Sequence, residues 1–139
     1  DFRKGAIIGE RIALNFNQIE YGHGYDHNYV INNFDPKVSK IAAELTSHRT
    51  GIKMYVKTDL PGIQFYSGNF LDGSYKGKNN QKLKKYSGLC LEPQYFPDSP
   101  NHTNFPSTIL KKGSNYNHNI TYGITFWLNI LDTFNAIKF

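Results

Sequence analysis

Cysteine is nearly absent. A single thiol, Cys90, stands among 139 residues, so no internal disulfide framework holds this chain together. Methionine is as scarce, with Met54 alone. The opening Asp1-Phe2-Arg3-Lys4-Gly5 reads neither as a translational start nor as a signal peptide. Residue 1 is therefore expected to be a processed end or a point inside a longer protein. No apolar run approaches the roughly 20 residues that cross a bilayer, so no membrane partner is expected. P-loop, paired CxxC and HExxH motifs are missing. Arginine, the usual reader of base edges, is sparse. The lysine-rich stretch Lys76-Gly77-Lys78-Asn79-Asn80-Gln81-Lys82-Leu83-Lys84-Lys85 carries no interleaved aromatics. The net charge of +5 is thus read as a solvated loop rather than a nucleic-acid footprint.

Aromatic residues are plentiful, at 15% with ten Tyr and ten Phe, and they favour strands. A chain this long buries roughly two-thirds of its unfolded surface, so one domain without metal or disulfide is expected. Ile41, Ala43 and Leu45 alternate with Ala42 and Glu44, and Ile52, Met54 and Val56 alternate with Lys53, Tyr55 and Lys57. Both runs have the period of a half-buried strand, with Ser47-His48-Arg49-Thr50-Gly51 as the connection between them. Leu60-Pro61-Gly62 is a turn, Ile63 to Tyr66 a short strand, and Gly68 to Asn80 is turn-rich. Leu89 to Glu92 is a strand that Pro93 is expected to stop. A stiff loop with Pro93, Pro97, Pro100 and Pro106 follows. Trp127, Ile130, Leu131, Phe134 and Ile137 recur at spacings of three and four, which suggests an amphipathic helix in the tail. The pattern predicts an all-β, mostly antiparallel, sandwich-like protein with long loops.

Alternation also sorts the polar residues. If Leu89 and Leu91 enter a core, Cys90 and Glu92 project from the other face. A carboxylate held there, beside a rigid loop, can accept a proton from a hydroxyl. Ile63 and Phe65 likewise leave Gln64 with Tyr66 on a polar face that suits a polyhydroxylated ligand. In Gly24-Tyr25-Asp26-His27-Asn28, Asp26 and His27 point to opposite faces and no serine nucleophile is evident, so a triad fails. Asp26 reads as a hydrogen-bond acceptor and His27 as structural. His23, His48, His102 and His118 show no ligand spacing, so no metal is expected. Cys90 reads as packing. Asn101-His102-Thr103 and Asn119-Ile120-Thr121 match the glycosylation pattern, and neither is read as glycosylated.

Three segments in order carry a resemblance: Gly24-Tyr25-Asp26-His27-Asn28; Pro61-Gly62-Ile63-Gln64-Phe65-Tyr66-Ser67-Gly68-Asn69-Phe70-Leu71-Asp72-Gly73; and Ser87-Gly88-Leu89-Cys90-Leu91-Glu92-Pro93-Gln94 with Phe96-Pro97-Asp98 and Asn101. Over about residues 1 to 124 the chain resembles the aldose 1-epimerase (galactose mutarotase) family. The resemblance implies a carboxy-terminal portion, residues 1–126, of a galactose mutarotase-type β-sandwich, with 127–139 a divergent, possibly helical tail. It implies Glu92 as catalytic base, Asp26 as a ligand of sugar hydroxyls and Gln64 as a lining residue. It also implies a free aldohexose as substrate, no cofactor, and a cytoplasmic setting. The family's acid histidine belongs to the amino-terminal half, and no histidine here matches it. The missing partner is therefore that half of the same protein, and the chain alone is expected to be nearly inactive, with exposed sheet edges. Two other readings remain open: a carbohydrate-binding module without catalysis, and an epimerase of hexose 6-phosphates that uses the lysine run.

Overall fold

A computed structural model describes residues 1–126 and 135–139. Ten strands are present among them, and every pairing is antiparallel. They are β1 (Ala6–Ile7), β2 (Asp26–Val30), β3 (Lys40–Ser47), β4 (Ile52–Thr58), β5 (Gly62–Tyr66), β6 (Asp72–Lys76), β7 (Lys82–Lys84), β8 (Cys90–Gln94), β9 (Ile120–Phe126) and β10 (Asn135–Lys138). A five-stranded sheet runs β1-β10-β3-β4-β9, a three-stranded sheet runs β2-β5-β8, and β6-β7 form a hairpin. The all-β class expected from the pattern is what the chain adopts.

The two larger sheets enclose one core. Ala42, Ala43, Val56 and Ile137 come from the five-stranded sheet, and Tyr25, Ile31, Ile63, Phe65 and Leu91 from the β2-β5-β8 side. Aromatic rings fill the centre. Phe65 stacks on Tyr25 at 5.1 Å, Tyr29 stacks on Phe139 at 4.2 Å, and Phe2 meets Tyr25 edge-on at 5.3 Å. Such pairs add to the burial of apolar area. Burial, with the neighbouring Tyr25, outweighs nearby Arg11 and pushes the Tyr29 phenol up to about 12.

Several local expectations need correction. Ile41 is exposed while Ala42 and Ala43 are both buried. A register shift between Ile41 and Ala43 against β4 breaks the alternation, as an inserted residue does. Pro93 does not stop β8; it sits within the strand, paired with Ile63. In the β2-β5-β8 order β8 lies at an edge, where a missing N–H is tolerated. The segment Gly68 to Asn80 contains β6, and the lysine run continues through the turn into β7; Asn79 and Asn80 supply the positive φ of 57° each. The helix expected in the tail is not what residues 135–138 adopt. Ile137 is buried in a strand paired with β3 and β1, while Trp127, Ile130, Leu131 and Phe134 lie outside the described residues.

A short α-helix, α1 (Asn17–Gly22), leads into β2. His23 ends it in the left-handed conformation, and the Gly24 N–H returns to the Ile19 carbonyl at 3.0 Å, closing the last turn. Gly24 follows at φ 140°, packed against the Asn69 and Ser67 side chains. A side chain has no room there. Asn69 Nδ2 donates to the Gly22 and Tyr25 carbonyls at 2.7 and 2.8 Å, and the Tyr25 N–H donates to Ser67 Oγ at 3.0 Å. This clamp fixes the entry to β2 against the end of β5.

Candidate functional site

β5 is the central strand of its sheet, and both its faces are used. Ile63 and Phe65 are fully buried on the core side. Gln64 and Tyr66 point the other way. The register then determines what stands beside them. Gln64 is paired with Asn28 on β2 and Glu92 on β8, and Tyr66 with Asp26 and Cys90. Directly paired residues in an antiparallel ladder project to the same side. Asn28-Gln64-Glu92 and Asp26-Tyr66-Cys90 are therefore two adjacent rows of one outward face.

Asp26, Gln64 and Glu92, each expected on a polar face, are brought together on this one. Gln64 Nε2 donates to Asp26 Oδ1 at 2.7 Å, a diagonal bond between the rows. Asp26 and Glu92 are exposed and Gln64 is half-buried. Two carboxylates thus flank an amide on an open surface. Cys90 is exposed rather than packed, contrary to the packing role expected from sequence. Partial burial, followed by the charge of the adjacent Glu92, raises its thiol pKa, so it is a poor nucleophile near neutrality. Tyr66 Oη accepts the Phe70 N–H at 2.9 Å and the two rings stack, closing one end of the face.

His27 lies on the opposite side from Asp26. Its Nδ1 accepts the Asp26 N–H at 3.1 Å, and its Nε2 donates to the Gln18 carbonyl at 3.1 Å. Both ring nitrogens are engaged in joining α1 to β2, which is a structural role. His118 is engaged too, with Nδ1 3.1 Å from Asp59 Oδ1. Burial raises the Asp59 pKa, but bonds from the Asn119 N–H, His118 and the Asn119 amide together outweigh it and hold the carboxyl below its ordinary value. That cluster ties the start of β9 to the turn before β5. Among the described residues no group of three His, Cys, Asp or Glu side chains is placed to hold a metal, and no helix is long and apolar enough to cross a membrane.

Asn28 was not singled out from sequence. The signal was present, since it stands two residues after Asp26 and so shares its face. Gly62 shares that face as well. A Cβ there would lie 2.6 Å from Asn28 Oδ1 and 3.0 Å from the Phe96 ring, so glycine is what lets these two side chains close over the strand.

The architecture defines an antiparallel β protein with an outward-facing carboxylate–amide–carboxylate cluster. The aldose 1-epimerase family model matches residues 1–123. Galactose mutarotase of Mus musculus is 42% identical over 118 residues, covering 85% of this chain and 32% of the mouse protein. Aldose 1-epimerase of Escherichia coli (strain K12) is 35% identical over 119 residues, covering 84% and 33%. The crystal structure of a GalM/aldose epimerase homologue from C. elegans superposes with a TM-score of 0.65 at 30% identity, covering 73% of this chain and 30% of that one. The chain belongs to the aldose 1-epimerase family. It spans about a third of the length of the curated relatives it matches.

Proposed function

We propose that this chain supplies the base side of an aldose 1-epimerase site that interconverts the α and β anomers of a free aldohexose such as galactose or glucose in the cytoplasm. The observation that carries this reading is the register that puts Glu92, Gln64 and Asp26 side by side on one outward face, with Gln64 bonded to Asp26. Glu92 takes the proton of the anomeric hydroxyl. The ring C–O bond breaks as an acid protonates the ring oxygen. The open aldehyde turns about C1–C2, and the ring recloses on its other face with the two proton transfers reversed. Asp26 and Gln64 hold sugar hydroxyls, Asp26 as acceptor and Gln64 through its amide. Each positioned proton transfer typically contributes 10²–10⁴-fold. No cofactor is needed for these steps.

The acid is assigned to a histidine in the amino-terminal portion of the parent protein, which makes that portion the partner of this chain. Polarimetry on freshly dissolved α-galactose tests the assignment. The 139-residue chain alone is expected to equilibrate the sugar scarcely faster than buffer. The same chain fused behind the amino-terminal two-thirds of the mouse galactose mutarotase is expected to catalyse it. Full catalysis by the chain alone, or a well-folded fusion without activity, contradicts the proposal.

A second reading is favoured by one feature. Lys82, Lys84 and Lys85 line a groove with Phe70, whose N–H is bonded to Tyr66 at the end of the candidate site. That groove suits the phosphate of a hexose 6-phosphate. Competition between galactose and glucose 6-phosphate for the fusion protein separates the two, and tighter binding of the phosphate ester would favour this second reading.

A further inference from the structure

Two polar atoms at the centre of this face lack a partner among the described residues. Asn28 Nδ2 and Gln64 Oε1 are both shut from solvent, and neither is hydrogen-bonded there. One is a donor and the other an acceptor. They belong to residues paired directly across β2 and β5. Burying either alone is costly, and a mutual bond removes both costs.

The orientation of the Gln64 amide is already determined at its other end. Its Nε2 donates to Asp26 Oδ1, and the reversed amide would set acceptor against acceptor. Oε1 is therefore the atom left for Asn28. The Asn28 side chain leans over Gly62, where its Oδ1 occupies space that any Cβ would contest. Asn28 and Gln64 stand directly opposite in the ladder, and the terminal amide of Asn28 is a soft torsion.

We propose that Asn28 is a positioning residue: it donates from Nδ2 to Gln64 Oε1 and completes a chain Asn28→Gln64→Asp26 that orients the Asp26 carboxylate for a sugar hydroxyl. The sugar part of this statement rests on the function proposed above; the Asn28–Gln64 part does not. No charge is moved, and the chain acts by removing alternative orientations of Gln64 and Asp26.

Side-chain amide hydrogen exchange by NMR on the 139-residue chain tests it. In the unsubstituted chain the Asn28 Nδ2 and Gln64 Nε2 protons are expected to be protected. Asn28→Ala and Asn28→Asp are each expected to speed exchange at Gln64 Nε2 about fivefold, the loss of one ordinary hydrogen bond. Backbone amides of β5 should keep their protection, which shows that the fold persists. Agreement between the two variants separates the lost donor from the added charge. Free exchange of both Asn28 protons in the unsubstituted chain overturns the proposal without any substitution. Unchanged exchange at Gln64 in both variants overturns it too. A galactose titration of the fusion with the mouse amino-terminal portion, with and without Asn28→Ala, reads the sugar part, with affinity expected to fall about fivefold in the variant. Equal affinity in the two proteins, alongside altered Gln64 exchange, refutes the orienting role. Absence of any galactose response in the unsubstituted fusion contradicts the proposed function, and Gln64 exchange in the 139-residue chain still decides the Asn28 bond.

Discussion

β5 and β9 are built from similar residues and meet opposite environments. In β5, Ile63 and Phe65 are wholly buried, and Gln64 and Tyr66 form the candidate site. In β9, Ile120, Tyr122, Ile124 and Phe126 fall on one side and all are exposed, Phe126 to 75%. Their register partners on β4 include Thr58 and Val56, which are buried almost completely. Partners project to the same side, so the apolar side of β9 is the core side of its sheet. Cover gives out between β4 and β9 because, among the described residues, a three-stranded layer faces a five-stranded one. Burial here is decided by what lies opposite a strand and not by the strand's own composition. One bond crosses to β9 nonetheless: Tyr122 Oη donates to the Leu91 carbonyl on β8 at 2.8 Å.

Phe65→Ala is the sharpest way to sharpen that contrast. Emptying a fully buried aromatic site costs about 3–5 kcal/mol, a large share of a small domain's stability. Urea denaturation should show it as a collapse of the midpoint. An intermediate effect comes from the cluster anchoring β9. Asp59 has a depressed pKa in the folded chain, so its contribution is fully present above the ordinary carboxylate value of 3.8 and is lost as pH falls through the lower folded one. Asp59→Asn should flatten that acid dependence and cost about 1–3 kcal/mol at neutral pH. An unchanged acid limb of the stability profile would show that the His118–Asn119 anchor is not what holds β9. Phe126→Ser should do less, within about 0.5 kcal/mol as for other exposed positions, while raising solubility by shortening an apolar edge. A loss comparable to that of Phe65→Ala would mean that β9 is covered after all. The smallest effect belongs to the polar face itself. Removing the Glu92 charge by Glu92→Gln should lower the Cys90 pKa, since that charge is one cause of its rise, and speed its alkylation several-fold at fixed pH. An unaltered alkylation rate would place the two side chains out of electrostatic contact.

Period-two alternation made β3, β4, β5 and β8 legible, and with them the faces of Gln64 and Glu92. Asp26 was legible as an acceptor because an aspartate beside a histidine in a strand cannot share its face. What escaped did so for local reasons. α1 has six residues, too few to display a helical period. The shift at Ile41 and Ala43 hides inside a run that alternates in either register. Pro93 depends on β8 being an edge, which only the sheet order reveals. The helical spacing around Ile137 coincides with a segment whose end pairs as a strand. β9 was not expected, although Ile120, Tyr122, Ile124 and Phe126 carry the alternation of a strand. The juxtaposition of three strands that makes the site is a matter of long-range register, and pattern within one strand carries no such information.

The proposed function stands or falls with the Glu92 carboxylate, beside Gln64 and Asp26 in the register, as the base of the ring-opening step. Its most direct test is the rate of α-galactose mutarotation by the fusion with the mouse amino-terminal portion, measured with and without Glu92→Gln. The account predicts a fall of about 10²–10⁴-fold with sugar binding largely retained. A folded Glu92→Gln fusion that equilibrates the sugar at the unsubstituted rate would contradict it.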